Sequence, residues 1–238
     1  WKRYRRNRAA VFGLVVIVLI IIMALTASLF YPNDPFRLMG KPLSGPLTNG
    51  FLLGSDSLGR DVASGIVHGA KTSLLIGFVA TIVSVFIGIF FGAFAGYFGG
   101  RVDDFLMRVT EIFQTIPSFI FAILLVAIMK PSIVSIVIAI AVVSWPGVAR
   151  LVRGEFLALK NREFVQACHT LGMSDFRIML REILPNCLSP IIVVGSLMVA
   201  TAILIESGLA FLGLGDPNIM SWGFLIGAGR TMLRSAWW

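Results

Sequence analysis

The sequence predicts an all-α, polytopic membrane protein. Of its 238 residues, 57% are hydrophobic and 13% are charged, and the mean hydropathy is +0.91. A soluble domain carries about 25% charged residues, so this chain has too little polar surface to cover itself in water. The composition therefore excludes an ordinary soluble enzyme, a disordered tail and a disulfide scaffold. The net charge of +8 is typical of loops that flank membrane spans rather than of a nucleic-acid surface.

Five apolar segments reach or approach the length that crosses about 30 Å of hydrocarbon as a helix. They are apolar on all sides, as expected of spans in a bundle. In chain order they cover residues 9–30, 72–98, 112–129, 131–149 and 187–205. The first is too long for the core of a signal peptide, so we predict a retained anchor.

The distribution of lysine and arginine predicts the orientation. With a cytoplasmic N-terminus, 13 of the 20 basic residues lie inside, five of them in residues 1–8. The loop between the fourth and fifth spans is then cytoplasmic as well. Five spans place the C-terminus outside, and the chain begins with Trp1 rather than with an initiator methionine. We therefore expect that the chain is trimmed at both ends and has lost a sixth span. The predicted organisation is a cytoplasmic segment (1–8), a first transmembrane helix (9–30), an external loop (31–71) and a core domain (72–238).

The external loop is rich in proline and glycine, which predicts irregular structure. We interpret its charged stretch, residues 54–61, as solvated side chains with weak local ion pairs. Residues 65–72 resemble a phosphate-binding loop, but the second glycine is one place early and no strand precedes it. The chain therefore has no predicted ATP site. Cys168 and Cys187 are expected to be reduced, and with two histidines in the chain no zinc site of the usual spacing exists.

The loop between the fourth and fifth spans predicts a helix–turn–helix hairpin at residues 161–185. Asn161 and Ser174 are candidate N-caps, Gly172 suits a left-handed turn, and Pro185 is expected to end the second helix. Each helix has a predicted apolar face, formed by Phe164, Ala167, Cys168 and Leu171 in the first and by Phe176, Met179, Leu180 and Ile183 in the second. The pattern alone fits either a hairpin lying on anionic lipid or a docking element for a soluble partner.

At this hairpin the sequence resembles the permease subunits of ABC importers. Their cytoplasmic motif reads E-A-A, three residues, G, nine residues, I, one residue, L-P. Here Gln166-Ala167-Cys168, Gly172 and Leu184-Pro185 keep every spacing. Gln166 replaces the acidic residue, Cys168 the second alanine, and Glu182 stands where isoleucine is usual. The resemblance implies that the hairpin, with Ser174 and Asp175 in its second half, contacts an ATPase.

Further segments are similar to the second, C-type permease of dipeptide and oligopeptide importers. They are residues 53–61, 95–100, 183–186 and 209–215. The resemblance implies a type I importer bundle in the bacterial inner membrane, with a second related permease, two cytoplasmic ATPases and an external binding protein as partners. ATP and magnesium would bind the ATPases, and this chain would hold no cofactor, metal or catalytic residue. Peptides are the expected solute; the same group also imports nickel, glutathione and opines.

Four residues within the spans stand out. Gly88, Gly92 and Gly96 recur every four positions, a spacing that lets helices approach closely in lipid. Glu206 closes the fifth span, where an ionisable group is costly. It could reach water or the N-terminus of a neighbouring helix, and the family's acidic residue at this point implies a structural or gating role.

Two further expectations complete the sequence-based predictions. Residues 219–238 are expected to form an interfacial helix, with Trp222, Leu233 and Trp237 on its apolar side. A distant alternative function is an ATP-independent secondary transporter or channel. Such a protein would need broken helices and midplane charges, and the sequence shows neither.

Overall fold

Helices make up the regular structure of the described residues, which confirms the predicted all-α class. The computed structural model describes residues 6–238, so most of the predicted basic segment 1–8 lies outside the described residues. In residues 6–238 the only β-pairing is two isolated bridges in the loop before the third helix. In chain order the elements are α1 (Arg8–Leu25), α2 (Ala27–Phe30), α3 (Val62–Phe98), α4 (Gly100–Gln114), α5 (Ser118–Met129), α6 (Ile133–Leu159), α7 (Glu163–Thr170), α8 (Asp175–Arg177), the π-helical segment π1 (Ile178–Ile183), α9 (Leu184–Phe211) and α10 (Trp222–Gly229).

Within residues 6–238, four helices are long and apolar enough to cross a membrane. They are α1, α3, α6 and the continuous helix Asp175–Phe211, and the bent pair α4–α5 makes a fifth if it counts as one span. The order matches that of the five predicted spans, and the number matches when the bent pair is counted as one span. The two longest helices have 37 residues each, about 55 Å at 1.5 Å per residue, so they reach well beyond the hydrocarbon.

The described chain divides into two compact units, which α3 and α9 both join. The central unit is Ile76–Ile205, and the terminal unit combines residues 6–75 with Glu206–Trp238.

In the central unit, α6 is the core helix. It begins after Ser132, whose hydroxyl oxygen accepts a hydrogen bond from the Ser135 N–H at 3.1 Å. Trp145, Val148 and Phe156 are among its many buried side chains. Proline residues are tolerated inside such helices because neighbouring elements satisfy the freed backbone groups, and α6 continues through Pro146.

The prediction of one continuous third span over residues 112–129 is wrong. The helix α4 ends at Gln114, α5 begins at Ser118, and the two helices are bent by 79°. Pro117 explains the break, because proline disfavours helical backbone at the residue before it, and Pro117 itself is extended with ψ at 127°. The apolar helix α5 has 12 residues, about 18 Å in length, so it is too short to cross hydrocarbon alone.

The prediction that Leu184 and Pro185 end the second arm of the hairpin is also wrong. The elements α8, π1 and α9 form one helix from Asp175 to Phe211. In π1 the Leu184 N–H bonds to the Met179 carbonyl, five residues back. This wider turn lies directly before Pro185, where the proline ring would otherwise clash with the preceding turn. The last span therefore begins within the hairpin.

In the terminal unit, the loop before α3 is irregular, but its charged stretch is packed rather than solvated. The Asp56 carboxylate accepts hydrogen bonds from the N–H groups of Leu58 and Arg60, at 2.8 and 2.9 Å. The Arg60 guanidinium lies 5.2 Å from the ring centroid of Phe36 and 5.8 Å from that of Phe224. The predicted local ion pair is present, with the Arg60 Nε 3.7 Å from Asp56 Oδ2, but the two side chains are only 16% and 19% exposed. Arg60 also organises the loop through cation–π contacts, so only the solvated part of the interpretation is corrected.

The helix predicted over residues 219–238 is shorter than expected. Ser221 caps α10, because its hydroxyl oxygen accepts the Phe224 N–H at 3.0 Å. The helix ends at Gly229, and turns follow it. Leu233 and Trp237 therefore do not continue the helix face of Trp222.

Candidate functional site

The turn of the hairpin is a complete Schellman motif at the end of α7. Gly172 has φ at +74°, in the left-handed region that glycine adopts at little cost. The Met173 N–H donates to the Cys168 carbonyl at 3.1 Å, and the Gly172 N–H donates to the His169 carbonyl at 3.0 Å. These two bonds satisfy carbonyls that the helix end leaves free. The left-handed conformation expected at Gly172 is therefore present.

Of the two predicted caps, Ser174 occupies the N-cap position and Asn161 does not. The first helix begins at Glu163, one residue later than an Asn161 cap requires, and Arg162 occupies the N-cap position. Instead, the Gln166 side-chain amide donates a hydrogen bond to the backbone carbonyl of Asn161 at 3.2 Å. Ser174 does occupy the N-cap position of α8, but its side chain makes no capping hydrogen bond.

The inner face of the hairpin packs on the spans. Val165, Ile178 and Ile183 are fully buried and belong to one apolar cluster with Val148 and Phe156 of α6. The cluster also contains Ala93, Val152, Met179, Cys187 and Ile191. The packed side of α7 therefore contains Val165, which is buried, and Cys168, which is half-buried. The other residues of the predicted apolar face, Phe164, Ala167 and Leu171, are exposed.

The outer face of the hairpin is apolar and exposed. Phe164 is 39% exposed, Leu171 79%, Phe176 61% and Leu180 45%. Gln166, Ala167 and Asp175 are exposed too, as are Arg162, Arg177 and Arg181. The hairpin thus has two apolar faces: the inner face packs against the spans of this chain, and the outer face is exposed. Leu184 is half-buried and Pro185 exposed, both in α9.

Tyr97 lies in the family-like segment 95–100 but was not predicted as a site residue, and it contacts the hairpin from the end of α3. Its hydroxyl donates to Asp175 Oδ1 at 2.7 Å. Its ring stacks on the His169 ring, with centroids 6.5 Å apart and an interplanar angle of 27°. Neither partner is near Tyr97 in the sequence, so no local pattern signals these contacts.

Gly88, Gly92 and Gly96 lie where α3 meets α6. A Cβ atom on Gly88 would lie 2.5 Å from the Val148 Cβ, and one on Gly96 would lie 2.6 Å from the Phe156 Cβ. At Gly92 the nearest side-chain atom would be the Val152 Cβ at 2.7 Å. Real Cβ atoms essentially never approach that closely, so glycine alone permits this separation of the two helices.

A second predicted site residue, Glu206, joins the end of α9 to the start of α10 within the terminal unit. Its Oε1 accepts the Ser221 hydroxyl at 2.7 Å, and the residue is 1% exposed. Beside it, the Trp222 N–H donates to the Ser73 hydroxyl at 3.1 Å. Glu206 therefore lies against the N-terminus of a neighbouring helix, one of the two surroundings considered for it. A gating role for Glu206 stays a prediction.

This geometry predicts unequal effects of two substitutions at Glu206. We expect Glu206→Gln to keep most of the stability, because an amide oxygen can accept the Ser221 hydroxyl. Glu206→Ala leaves that buried hydroxyl without its acceptor and should cost about 1–2 kcal/mol more. Thermal unfolding midpoints of the detergent-solubilised variants measure the difference. Equal midpoints for the two variants would show that the Ser221 hydrogen bond does not matter.

The described part of the chain offers no cluster of three or more histidine, cysteine, aspartate or glutamate side chains arranged to hold a metal ion. The hairpin itself presents apolar, arginine and carboxylate groups. Apolar aromatic and arginine side chains are enriched at the interfaces between macromolecules.

Comparisons with known proteins agree with the resemblance at the hairpin. The family model described as "Binding-protein-dependent transport system inner membrane component" matches residues 88–233, and the model "N-terminal TM domain of oligopeptide transport permease C" matches residues 1–46. The chain is 42% identical to the oligopeptide transport system permease protein OppC of Escherichia coli K12, covering 100% of this chain and 80% of the relative. It is 38% identical to the di/tripeptide permease protein DppC of Pseudomonas aeruginosa, covering 100% and 81%.

A solved structure shares the fold. The inward-facing structure of the MetNI methionine ABC transporter matches with a TM-score of 0.60 at 16% identity, over 71% of this chain and 82% of that chain. At this identity the likeness concerns the fold alone, which is that of an ABC transporter permease. Together with the full-length relatives, it supports one conclusion. The chain belongs to the family of binding-protein-dependent transport system inner membrane components, in the group of the C-type permeases of dipeptide and oligopeptide ABC transporters.

Proposed function

We propose that this chain is a transmembrane permease subunit of an ATP-driven importer of dipeptides or oligopeptides. It forms half of the translocation pathway, and a second, related permease forms the other half. An external binding protein delivers the peptide, and two cytoplasmic ATPases bind ATP and magnesium. Family membership, together with the relatives' names as dipeptide and oligopeptide permeases, supports this assignment.

The observation that carries the coupling part of the proposal is the exposed apolar face of the hairpin. Leu171 and Phe176 lie on either side of the Gly172 turn and are mostly exposed. Exposed apolar side chains that cluster on one element mark interaction surfaces. The opposite face of the hairpin is already buried on the spans. The outer face is therefore free to enter a groove on one ATPase as an apolar helical knob.

The proposed orientation places this hairpin in the cytoplasm together with the N-terminus. Arg162, Arg177 and Arg181 are exposed on the hairpin, in keeping with the excess of basic residues on the cytoplasmic side of membrane proteins. They also surround the apolar face with positive charge. A complementary acidic rim on the ATPase groove would speed and orient docking.

Two substitutions on the exposed face test the docking role. We expect Phe176→Asp and Leu171→Asp each to weaken association with the cognate ATPases at least tenfold, because a central apolar anchor contributes about 2 kcal/mol or more to such an interface. Neither side chain is buried in this chain, so membrane insertion should be unchanged. Co-purification of the ATPases with the solubilised permease measures association, and uptake of labelled dipeptide into proteoliposomes measures transport.

Matched controls separate docking from general damage. Leu171→Met keeps an apolar side chain and should behave as wild type. Thr170→Asp adds a carboxylate at an exposed polar position of the same hairpin, outside the motif residues, and should have a much smaller effect. Normal association and uptake in the double variant Phe176→Asp/Leu171→Asp would exclude the proposed docking face. Uptake of nickel without uptake of peptide would exclude the proposed solute.

A further inference from the structure

Tyr97 contacts both arms of the hairpin from outside it, one arm through its ring and the other through its hydroxyl group. His169 lies in the last turn of the first arm, and Asp175 begins the second arm. The Tyr97 ring stacks on His169, while its hydroxyl bonds to Asp175. The Gly172 turn lies between these two partners, so one aromatic residue bridges the turn.

The backbone that carries Tyr97 is held tightly. The preceding residue, Gly96, approaches α6 so closely that a Cβ there would lie 2.6 Å from the Phe156 Cβ. Phe156 is in turn fully buried in the apolar cluster beneath the hairpin. After Tyr97, α3 ends at Phe98, and Gly99 and Gly100 both have positive φ. Tyr97 is therefore the last polar side chain on a firmly packed end of a membrane-spanning helix.

We propose that Tyr97 is a positioning residue of the coupling mechanism, which holds the two arms of the hairpin in a fixed orientation relative to α3. This inference rests on the proposed function of the hairpin. A hairpin that an ATPase pulls or rotates can move a span only if it does not pivot on its own turn. The apolar cluster resists separation of the hairpin from the spans but is non-directional. The Tyr97 hydroxyl adds a directional bond to the arm that continues into α9.

The bond between Tyr97 and Asp175 is exposed, so its loss should not unfold the protein. The expected defect is slippage: the ATPases still bind and hydrolyse ATP, but fewer cycles move the spans. The quantity that reports slippage is the number of ATP molecules hydrolysed for each peptide imported. A merely structural role would lower the amount of folded complex without changing this ratio.

The experiment uses the complete transporter with its binding protein in proteoliposomes and labelled dipeptide as the solute. Tyr97→Phe keeps the ring that stacks on His169 and removes the hydroxyl; Asp175→Ala removes the acceptor. We expect each to raise the ratio of ATP hydrolysed to peptide imported at least threefold. Tyr97 lies outside the hairpin, so Tyr97→Phe should leave ATPase association unchanged. The double variant should be no worse than either single variant, because both remove the same bond.

Two controls define the chemistry. Asp175→Asn keeps an oxygen that can accept the hydroxyl hydrogen and should restore a ratio near that of wild type. Tyr31→Phe removes a phenolic hydroxyl elsewhere in the chain and should leave the ratio unchanged. A wild-type ratio in Tyr97→Phe would overturn the inference, as would a defect in Asp175→Asn equal to that in Asp175→Ala. If Phe176→Asp leaves ATPase association intact, the proposed docking function fails; if Phe176→Asp loses association and Tyr97→Phe keeps its ratio, only the role of Tyr97 fails.

Discussion

Replacing Gly92 with leucine should prevent α3 and α6 from packing at all. The first side-chain atom already lies 2.7 Å from the Val152 Cβ and 3.0 Å from the Arg153 backbone nitrogen, and it is closer still to the Ala149 carbonyl oxygen. Backbone atoms of a buried helix cannot turn aside as the end of a flexible side chain can. Overpacking of this kind costs about 1–3 kcal/mol and occasionally more, and we expect at least about 3 kcal/mol at Gly92.

The smaller variant Gly92→Ala gives the sharper test. Alanine introduces only the clashing Cβ, so the helices must separate by several tenths of an ångström. Gly154 is the matched control, because it lies in α6 and a Cβ there meets no atom within 4 Å. We expect Gly154→Ala to change stability by less than about 0.5 kcal/mol or to raise it slightly, since alanine favours helix. Gly92→Ala should be clearly destabilising.

Unfolding free energies in detergent or bicelles distinguish these cases, with monodispersity in size-exclusion chromatography as a second readout. Trimming the partner in Gly92→Ala/Val152→Ala should not rescue the variant, because the clash involves the Cβ and backbone atoms that alanine retains. A Gly92→Ala protein as stable as Gly154→Ala would mean that the two helices are not held at this distance.

The packing role of Gly88, Gly92 and Gly96 could be predicted from their four-residue spacing, because small residues at this spacing let helices pack closely in lipid. Helices in a bilayer gain little from apolar burial against each other, so close packing of small residues is favoured. The number and order of spans were predictable for a related reason, since an apolar helix has few alternatives in hydrocarbon. The Gly172 turn was predictable because a left-handed helix end strongly favours glycine.

Features that depend on long-range contacts were not predictable in the same way. Pro117 is a local signal for a break in the helix. The apolar residues continue on both sides of it, however, and their length led to the prediction of one continuous span. The helix through Pro185 depends on the π turn in front of it, which no residue pattern marks. The apolar face that begins at Phe164 could be predicted, but not its exposure, because periodicity shows that a helix has an apolar side without showing what covers it.

The candidate site shows the same division. Its turn and both of its arms followed from spacing, and its resemblance to a permease motif followed from Gly172, Leu184 and Pro185. The contacts of Tyr97 with His169 and Asp175 depend on where α3 ends in space. A sequence without its fold places those residues far apart.

The second large effect is expected at Arg153, which forms a two-pronged ion pair with Asp103 of α4. The Arg153 Nε lies 2.5 Å from Asp103 Oδ1, and Nη2 lies 2.6 Å from Oδ2. The Arg153 side chain is 36% exposed, and that of Asp103 is 12% exposed. Removing Arg153 and removing Asp103 therefore leave unpaired charges that differ in their exposure to solvent.

Removal of arginine leaves a carboxylate that is mostly buried, whereas removal of aspartate leaves a guanidinium that can still reach solvent. An uncompensated buried charge costs about 3–5 kcal/mol when fully enclosed. Because this pair is partly exposed, we expect about 2–3 kcal/mol for Arg153→Ala and about 1 kcal/mol for Asp103→Ala. Arg153→Lys should fall between wild type and Arg153→Ala, because an ammonium group cannot pair through two parallel bonds.

A double-mutant cycle tests why Arg153→Ala is expected to lose more stability than Asp103→Ala. If the loss in Arg153→Ala comes from the stranded Asp103 carboxylate, then Asp103→Ala added to it should recover stability, and Arg153→Ala/Asp103→Ala should unfold later than Arg153→Ala alone. The pair joins α4 to the core helix α6, so the recovered protein should retain its fold while α4 is held less firmly. Asp103→Ala destabilising as much as Arg153→Ala would contradict the explanation by a stranded carboxylate. Additive losses in the double variant would show that the two side chains do not stabilise each other.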